Sequence, residues 1–341
     1  MVRRFTIDRI SSQTSARIAN AGLIAALLVV FIHVDIQPDC PAYVGWTVDA
    51  VESTLCGVAV PTFFMIAGYL LAGHVGESGW WGRAIRKRMV TLGIPYLLWG
   101  SLFFIFDYFR SHDASLAGLI RSLGFTSCEM PGLYPLWFVR SLFALVLVSP
   151  LLTWLLSRFG QALLVGLFAL ELLGPVVRDS TLPFVRIAGS VFVVFSGMFY
   201  FTAGLFLRFK GLSLDLTSRR LASVGIVGLL LTASSAIGRI TGHAFVGSYC
   251  STLGVPLLMI GLWRVVPSAR WPKWLTGCAF PIFILHVFAI GVCNNFLFRE
   301  VNGLFALWGK FVFAVALPIV VVVVASRFAP RLTAFAFGGR C

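Results

Sequence analysis

Residues 21–34 read AGLIAALLVVFIHV, and every position in this stretch except His33 holds an apolar residue or glycine. The rest of the chain has the same character, because 59% of its 341 residues are hydrophobic and only 12% are charged. A helix that crosses a bilayer needs about 20 mainly apolar residues. The composition therefore indicates an integral membrane protein and excludes an ordinary water-soluble domain.

Apolar runs of spanning length recur along the chain, with no long polar segment between them. They are too long and too rich in Leu and Phe for barrel strands, which alternate over about 10 residues. We therefore predict an all-α, polytopic membrane protein with about ten transmembrane helices. The predicted spans are residues 18–34, 54–73, 91–109, 133–153, 160–177, 187–207, 221–239, 249–266, 275–297 and 304–326.

Basic residues gather on one side of the predicted bundle. If the N-terminus is inside, the inward segments hold 19 of the 27 Lys and Arg residues, whereas Arg140 and Lys310 fall inside apolar runs. The positive-inside rule then places both termini in the cytoplasm. This predicts a cytoplasmic segment 1–17, a single transmembrane domain 18–326 and a cytoplasmic tail 327–341. The net charge of +14 reflects this bias and contact with anionic membrane lipid, so we expect no nucleic-acid partner.

The cysteines point to no cofactor. Seven are present, and none forms a CxxC pair, so neither a metal site nor a tightly bound cofactor is predicted. Cys40 and Cys128 both fall in predicted outward loops, where an oxidising compartment favours disulfides. Whether these two residues pair is left open.

An ionisable residue within a transmembrane span is a candidate functional residue, and we select three of those in the predicted spans: His33, Arg140 and His286. His33 follows Arg17 by 16 residues, roughly 24 Å along a helix, which puts it in the outer third of the bilayer. Arg140 enters from the outer side to a similar depth, and His286 lies near the midplane of its span. The alternative interpretation is that the histidines are hydrogen-bonded packing residues, or that His33 merely marks the membrane interface, and that Arg140 snorkels to the surface.

Residues 79–99, GWWGRAIRKRMVTLGIPYLLW, place four basic residues ahead of an apolar helix. One interpretation is a positive-inside anchor flanked by interfacial tryptophans. The other is a cationic clamp that binds a phosphate-rich ligand on the cytoplasmic face. A basic loop alone does not decide between them. The residues concerned are Arg83, Arg86, Lys87 and Arg88.

Five blocks in a fixed order give the chain a family resemblance over nearly its whole length. They are LLVVFIHV (27–34), GVAVPTFFMIAGYLLAG (57–73), RAIRKRMVTLGIPYLLW (83–99), LWFVRSLFALVLVSP (136–150) and FPIFILH (280–286). In these blocks the chain resembles the membrane-bound acyltransferase-3 family, whose bacterial members transfer acyl groups, often acetyl, to cell-envelope glycans.

The resemblance implies a multi-pass O-acyltransferase of the bacterial cytoplasmic (inner) membrane. Its donor substrate would be a cytoplasmic acyl-CoA such as acetyl-CoA, and its acceptor a hydroxyl of an envelope glycan or lipid-linked sugar. His33 has the chemistry of a general base near neutral pH, and a cation such as Arg140 can stabilise an oxyanion. His286 would order a water or support His33. The donor phosphates would meet the four basic residues 83 and 86–88, and Asp49 or Glu52 would orient His33.

The chain departs from the family pattern in its first helix. Eleven residues before the histidine, where the family often has arginine, the chain has Gly22, and Ala19 replaces a usual acidic residue. Arg17 is the nearest candidate substitute. Two other functions stay open: a glycan transporter or flippase, and a non-catalytic membrane module that binds an envelope ligand. Homodimerisation is also left open.

Overall fold

The structure is a computed structural model that describes residues 10–34, 40–111, 115, 136–175, 197–211, 219–298, 301 and 303–339. These residues form helices and turns, with no strand in the described ranges. The helices are α1 Ser12–Ile32, α2 Ala42–Thr54, α3 Ala59–Ala72, α4 Trp80–Arg88, α5 Ile94–Ser111, α6 Trp137–Phe159, α7 Gln161–Leu172, α8 Met198–Phe209, α9 Arg219–Ile240, α10 Ala244–Val265, α11 Lys273–Gly277, α12 Ala279–Val292, α13 Leu304–Phe328 and α14 Pro330–Ala336.

Eight helical segments in the described residues are long and apolar enough to cross a membrane. The prediction of an all-α, multi-pass membrane protein is therefore confirmed. Helices α7 and α8 are apolar but shorter, and they fall in the fifth and sixth predicted spans. The number of crossings and the cytoplasmic position of the termini stay predictions. The spanning segments are Ser12–Ile32, Ala42–Ala72, Trp80–Ile105, Trp137–Phe159, Leu221–Ile240, Ala244–Val265, Ala279–Leu297 and Leu304–Phe328.

Two spans begin well before their predicted starts. The second begins at Ala42 because α2, a short 3-10 turn at Cys56–Val58 and α3 follow one another without a loop. The third begins at Trp80, and a π-helical turn, Met89–Gly93, joins α4 to α5. Hydropathy did not include residues 42–53 and 80–90 in the spans because it scores the transfer of each residue into lipid. Charged residues lower that score, although Arg, Lys and Glu are good helix formers.

The chain divides into two compact units. Unit 1 comprises Met1–Asp8, Phe64–Leu212 and Ala325–Cys341, and unit 2 comprises Arg9–Phe63 and Ser213–Val324. The predicted single transmembrane domain 18–326 stays a prediction, and the units are described one by one.

In unit 1, helices α3 and α8 approach each other closely at two glycines. A Cβ atom at Gly68 would overlap the carbonyl of Phe201, and a Cβ atom at Gly204 would overlap the carbonyl of Met65. Small residues at such crossings let helix backbones meet, which supplies the van der Waals contact that holds helices together in lipid. This crossing therefore depends on the absence of side chains at both positions.

Unit 2 contains a hairpin of α9 and α10 and a long-range anchor for α1. In the hairpin, Gly225 faces Gly261 with their backbones in contact. Asn20 of α1 is fully buried, and its side-chain amide donates to the carbonyl oxygens of Pro267 at 2.8 Å and Ala269 at 2.9 Å. Since these carbonyls lie just beyond α10, the two hydrogen bonds fix the first half of α1 against the far end of the hairpin.

We expect Gly204→Ala to destabilise the protein by about 1–3 kcal/mol, because the added methyl must push α3 and α8 apart. Gly22→Ala is the matched control, since a Cβ atom at Gly22 meets nothing within 4 Å. Removing a helix-interior glycine there should stabilise α1 by roughly 0.5–1 kcal/mol. Thermal unfolding of both variants in detergent measures the difference, and equal melting temperatures would contradict the crossing described above.

Candidate active site

Two histidines from separate helices meet inside unit 2. His33 directly follows α1, and His286 lies in the middle of α12. Their ring centroids are 4.9 Å apart and the rings are tilted by 76°, an edge-to-face contact. His286 is fully buried and His33 is partly exposed. The sequence placed the two residues at different depths, so their contact is information that only the structure supplies.

The hydrogen bonds of the two rings define their tautomers. His33 Nδ1 lies 2.9 Å from the carbonyl oxygen of Val29, and His286 Nδ1 lies 3.2 Å from that of Ile282. A carbonyl oxygen only accepts, so each Nδ1 must carry the hydrogen and donate it. Each neutral ring therefore has its lone pair on Nε2. For His286 this Nε2 is buried and has no hydrogen-bond partner among the described residues.

Aromatic contacts involve His286 itself and the end of α1 that leads to His33. Phe283 lies 6.2 Å from the ring of His286, and Phe63 lies 6.4 Å from Phe283. Phe31, two residues before His33, packs at 5.7 Å against Trp308. In such an apolar environment charges are poorly screened, so protons on both rings at once would repel strongly.

A buried lysine in the same unit was not predicted as a site residue. Lys310 lies in α13 and only 2% of it is exposed. It is close enough to Cys293 for an electrostatic interaction. The sequence could have predicted Lys310 as a site residue, because it is a cation within an apolar run, and Arg140 was chosen as a candidate on the same ground.

The two acidic candidates lie on α2. Glu52 Oε2 is 3.8 Å from Arg239 of α9, and Asp49 is close enough to Glu52 for the two carboxylates to repel. In the structure the Val29 carbonyl orients the ring of His33, and the predicted role of Asp49 or Glu52 stays a prediction. Within the described ranges, no group of three or more His, Cys, Asp or Glu residues could hold a metal ion.

The first helix also clarifies the departure from the family pattern. Because α1 is continuous from Ser12 to Ile32, Arg17 lies roughly 24 Å from His33 along the helix axis and does not reach its ring. Beside α1, unit 2 has an apolar cavity of about 190 Å³, in which Thr62 is the one polar lining residue. The α1 residues that line it are Ala21, Ile24, Ala25 and Leu28, one face of the helix.

The four basic residues predicted to bind the donor, residues 83 and 86–88, lie in helix α4 of unit 1. Arg83 bonds to Glu77 at 2.6 Å and to the carbonyl of Ser78, whereas Arg86 and Lys87 are exposed and Arg88 is half-buried. Trp81 donates from its indole nitrogen to the carbonyl of Val146 at 3.3 Å. This tryptophan therefore anchors α4 to α6.

Arg140 is also in unit 1, as the fourth residue of α6, and is half-buried. Its role as an oxyanion stabiliser stays a prediction.

Cys128 lies outside the described residues, and so does most of the predicted loop that contains it.

Fold and site together define a class: an all-helical, multi-pass membrane protein with two imidazoles in contact in one unit and an exposed basic helix in the other. Residues 23–327 match the model of the acyltransferase-3 family, which is described as an acyltransferase domain, so the chain belongs to this family. The chain is 25% identical over 245 residues to the succinoglycan biosynthesis protein ExoH of Rhizobium meliloti (strain 1021). That alignment covers 67% of this chain and 63% of the relative, so the chain spans less than two thirds of the relative's length. No solved structure matches the chain.

The tautomers can be measured directly. We expect ¹⁵N spectra of histidine-labelled protein to show two rings with hydrogen on Nδ1 and a bare Nε2, because each Nδ1 donates to a carbonyl. The variants His33→Gln and His286→Gln would assign the two signals. A hydrogen on Nε2 of either neutral ring would contradict the hydrogen-bond pattern.

Proposed function

We propose that this protein is a membrane O-acyltransferase that moves an acyl group, acetyl in the simplest case, from a cytoplasmic acyl-CoA to a hydroxyl of a cell-envelope glycan or lipid-linked sugar. Membership of the acyltransferase-3 family supports transfer of an acyl group. The similar ExoH protein is named for succinoglycan biosynthesis, which supports a glycan acceptor. The structural observation that carries the proposal is the pair of imidazoles whose lone pairs are on Nε2.

His33 would act as the general base. Its Nε2 takes the proton of the acceptor hydroxyl while the hydroxyl oxygen attacks the thioester carbonyl carbon. The tetrahedral intermediate then collapses, the carbon–sulfur bond breaks, and the imidazolium returns its proton to the leaving thiolate. A neutral imidazole suits both steps near neutral pH. The Val29 carbonyl supports this role because it keeps the hydrogen on Nδ1 and holds the ring in one orientation.

His286 would assist by accepting a hydrogen bond at its buried Nε2, from a water or from the acceptor hydroxyl. A buried acceptor without a partner costs free energy, which a bound hydroxyl would recover. Because protons on both rings at once would repel each other, the contact between the rings supports a division of labour, in which His33 takes the proton and His286 stays neutral as an acceptor.

The basic helix α4 would bind the phosphates of the donor. Arg86 and Lys87 are exposed on adjacent positions, and Arg83 and Arg88 extend the positive charge along the helix. Arginine binds phosphate through two parallel hydrogen bonds, and lysine binds it as a point charge. The short pair between Arg83 and Glu77 supports a structural contribution of Arg83 in addition to its charge.

We expect His33→Gln to reduce acyl transfer by roughly 10²–10⁴-fold, the usual loss on removing a general base. Glutamine keeps a hydrogen-bonding side chain but takes up no proton at neutral pH. Transfer is measured with labelled acyl-CoA in proteoliposomes that contain envelope glycan. His243→Gln, an exposed histidine of the same unit, is the control and should transfer at the native rate.

Three outcomes would reject this role for His33. A glutamine variant with native transfer would make His33 a packing residue. A wild-type protein that yields no acylated product but moves glycan across the bilayer would favour the transporter, and one that only binds glycan would favour the non-catalytic module.

The donor site has its own test. Arg83→Ala together with Arg86→Ala should weaken binding of acyl-CoA by roughly tenfold to a hundredfold, because two charge-assisted contacts to phosphate are lost. Arg264→Ala with Arg270→Ala removes the same charge from exposed positions in unit 2 and should leave binding unchanged. Calorimetry with CoA measures both constants. Equal affinities in the two double variants would leave α4 as a membrane anchor.

A further inference from the structure

Residues 330–339 of unit 1, here named the clasp, fold back onto the start of α5. The clasp consists of α14 and the following turn, Phe337–Gly339. One face of α14 is exposed, with Leu332 at 66% and Phe335 at 53%. The other face, with Thr333 and Phe337, is buried.

The main contact of the clasp is with Trp99. The indole nitrogen of Trp99 donates to the carbonyl oxygen of Ala336 at 2.9 Å. The ring of Trp99 also lies 5.4 Å from that of Phe337, and only 3% of Phe337 is exposed. Because Trp99 makes both a hydrogen bond and a ring contact with the clasp, it fixes both the orientation of the clasp and its distance from α5.

A second contact reaches the π-helical turn that joins α4 to α5. Gly338 has a φ of +65°, a left-handed conformation that other residues rarely adopt, and a Cβ atom there would overlap the carbonyl of Thr91. Thr91 is the third residue of the π turn Met89–Gly93. The backbone of the clasp therefore lies directly against the backbone of this turn.

The π turn connects α4 to α5 and therefore influences the direction of α4. A π turn is rare, and within α-helices it occurs frequently at functional sites. Helix α4 has no buried residue of its own. Helix α4 contacts α6, partly through the bond between Trp81 and Val146, and it contacts the π turn at its C-terminal end, so the turn is one of two supports that set its direction.

We propose that the clasp is a positioning element for the donor site: by holding the π turn, it fixes the direction of α4 and thereby the place of Arg86 and Lys87. Trp99, Phe337 and Gly338 are positioning residues, since they act through α4 and do not touch the donor. The identity of the ligand rests on the proposed function, whereas the mechanical link between clasp and α4 does not.

The test compares three variants. Trp99→Ala removes the hydrogen bond and the ring contact, and Trp99→Phe removes only the hydrogen bond. Phe335→Ala is the control, because Phe335 lies on the exposed face of the same helix. We expect the KM for acyl-CoA to rise roughly fivefold in Trp99→Phe, the usual effect of one lost hydrogen bond, and further in Trp99→Ala, with kcat at saturating donor unchanged. Phe335→Ala should match wild type in both.

A second readout needs no ligand. A spin label at Lys87→Cys should become more mobile in the Trp99→Ala background and stay as in wild type in the Phe335→Ala background. Melting temperatures show that the variants are folded. Unchanged label mobility in a folded Trp99→Ala variant overturns the proposal, and so does a fall in kcat with no change in KM. If label mobility changes but wild-type protein binds no CoA, the clasp stands and the proposed function fails.

Discussion

Inside a bilayer a polar group finds no water, so it must be satisfied within its own helix or by a neighbouring one. Several polar side chains in the described helices follow that constraint. Thr232 and Ser149 donate to carbonyls of their own helices, three or four residues earlier. The histidines do the same through Nδ1, which has a chemical consequence that the hydroxyls lack. When Nδ1 of a neutral histidine donates to a carbonyl of its own helix, Nε2 carries the lone pair and can accept a hydrogen bond from another group.

The same constraint explains why the helices meet at glycines. In lipid, apolar side chains gain little from leaving their surroundings, so contact between backbones becomes an important attraction. The crossing of α3 and α8 at Gly68 and Gly204 and the α9–α10 hairpin at Gly225 and Gly261 both follow this rule. Gly22 does not, since open space surrounds it, and the structure gives no packing reason for glycine at that position.

Hydropathy predicted the fold class and the approximate position of most helices, because a spanning helix is a local property of about 20 residues. It failed at residues 42–53 and 80–90, where the helices contain charged residues that lower the hydropathy. Hydropathy could not predict the contact between the two histidines. His33 and His286 are 253 positions apart, and their contact depends on how α1 packs against α12. Their internal hydrogen bonds are local and follow from helix geometry alone. Lys310 carried a readable signal, an isolated cation in an apolar run, that the motif blocks did not include.

The bonds of Asn20 bear on the order in which the chain is assembled. Their acceptors lie 247 and 249 residues further along the chain. At a synthesis rate of about 5–20 residues per second, those acceptors leave the ribosome roughly 12–50 s after Asn20 does. Throughout that interval the amide of Asn20 lacks these two partners. Helix α1 thus reaches these native contacts long after it is synthesised, and the nascent protein must keep it available for a partner that has yet to be made.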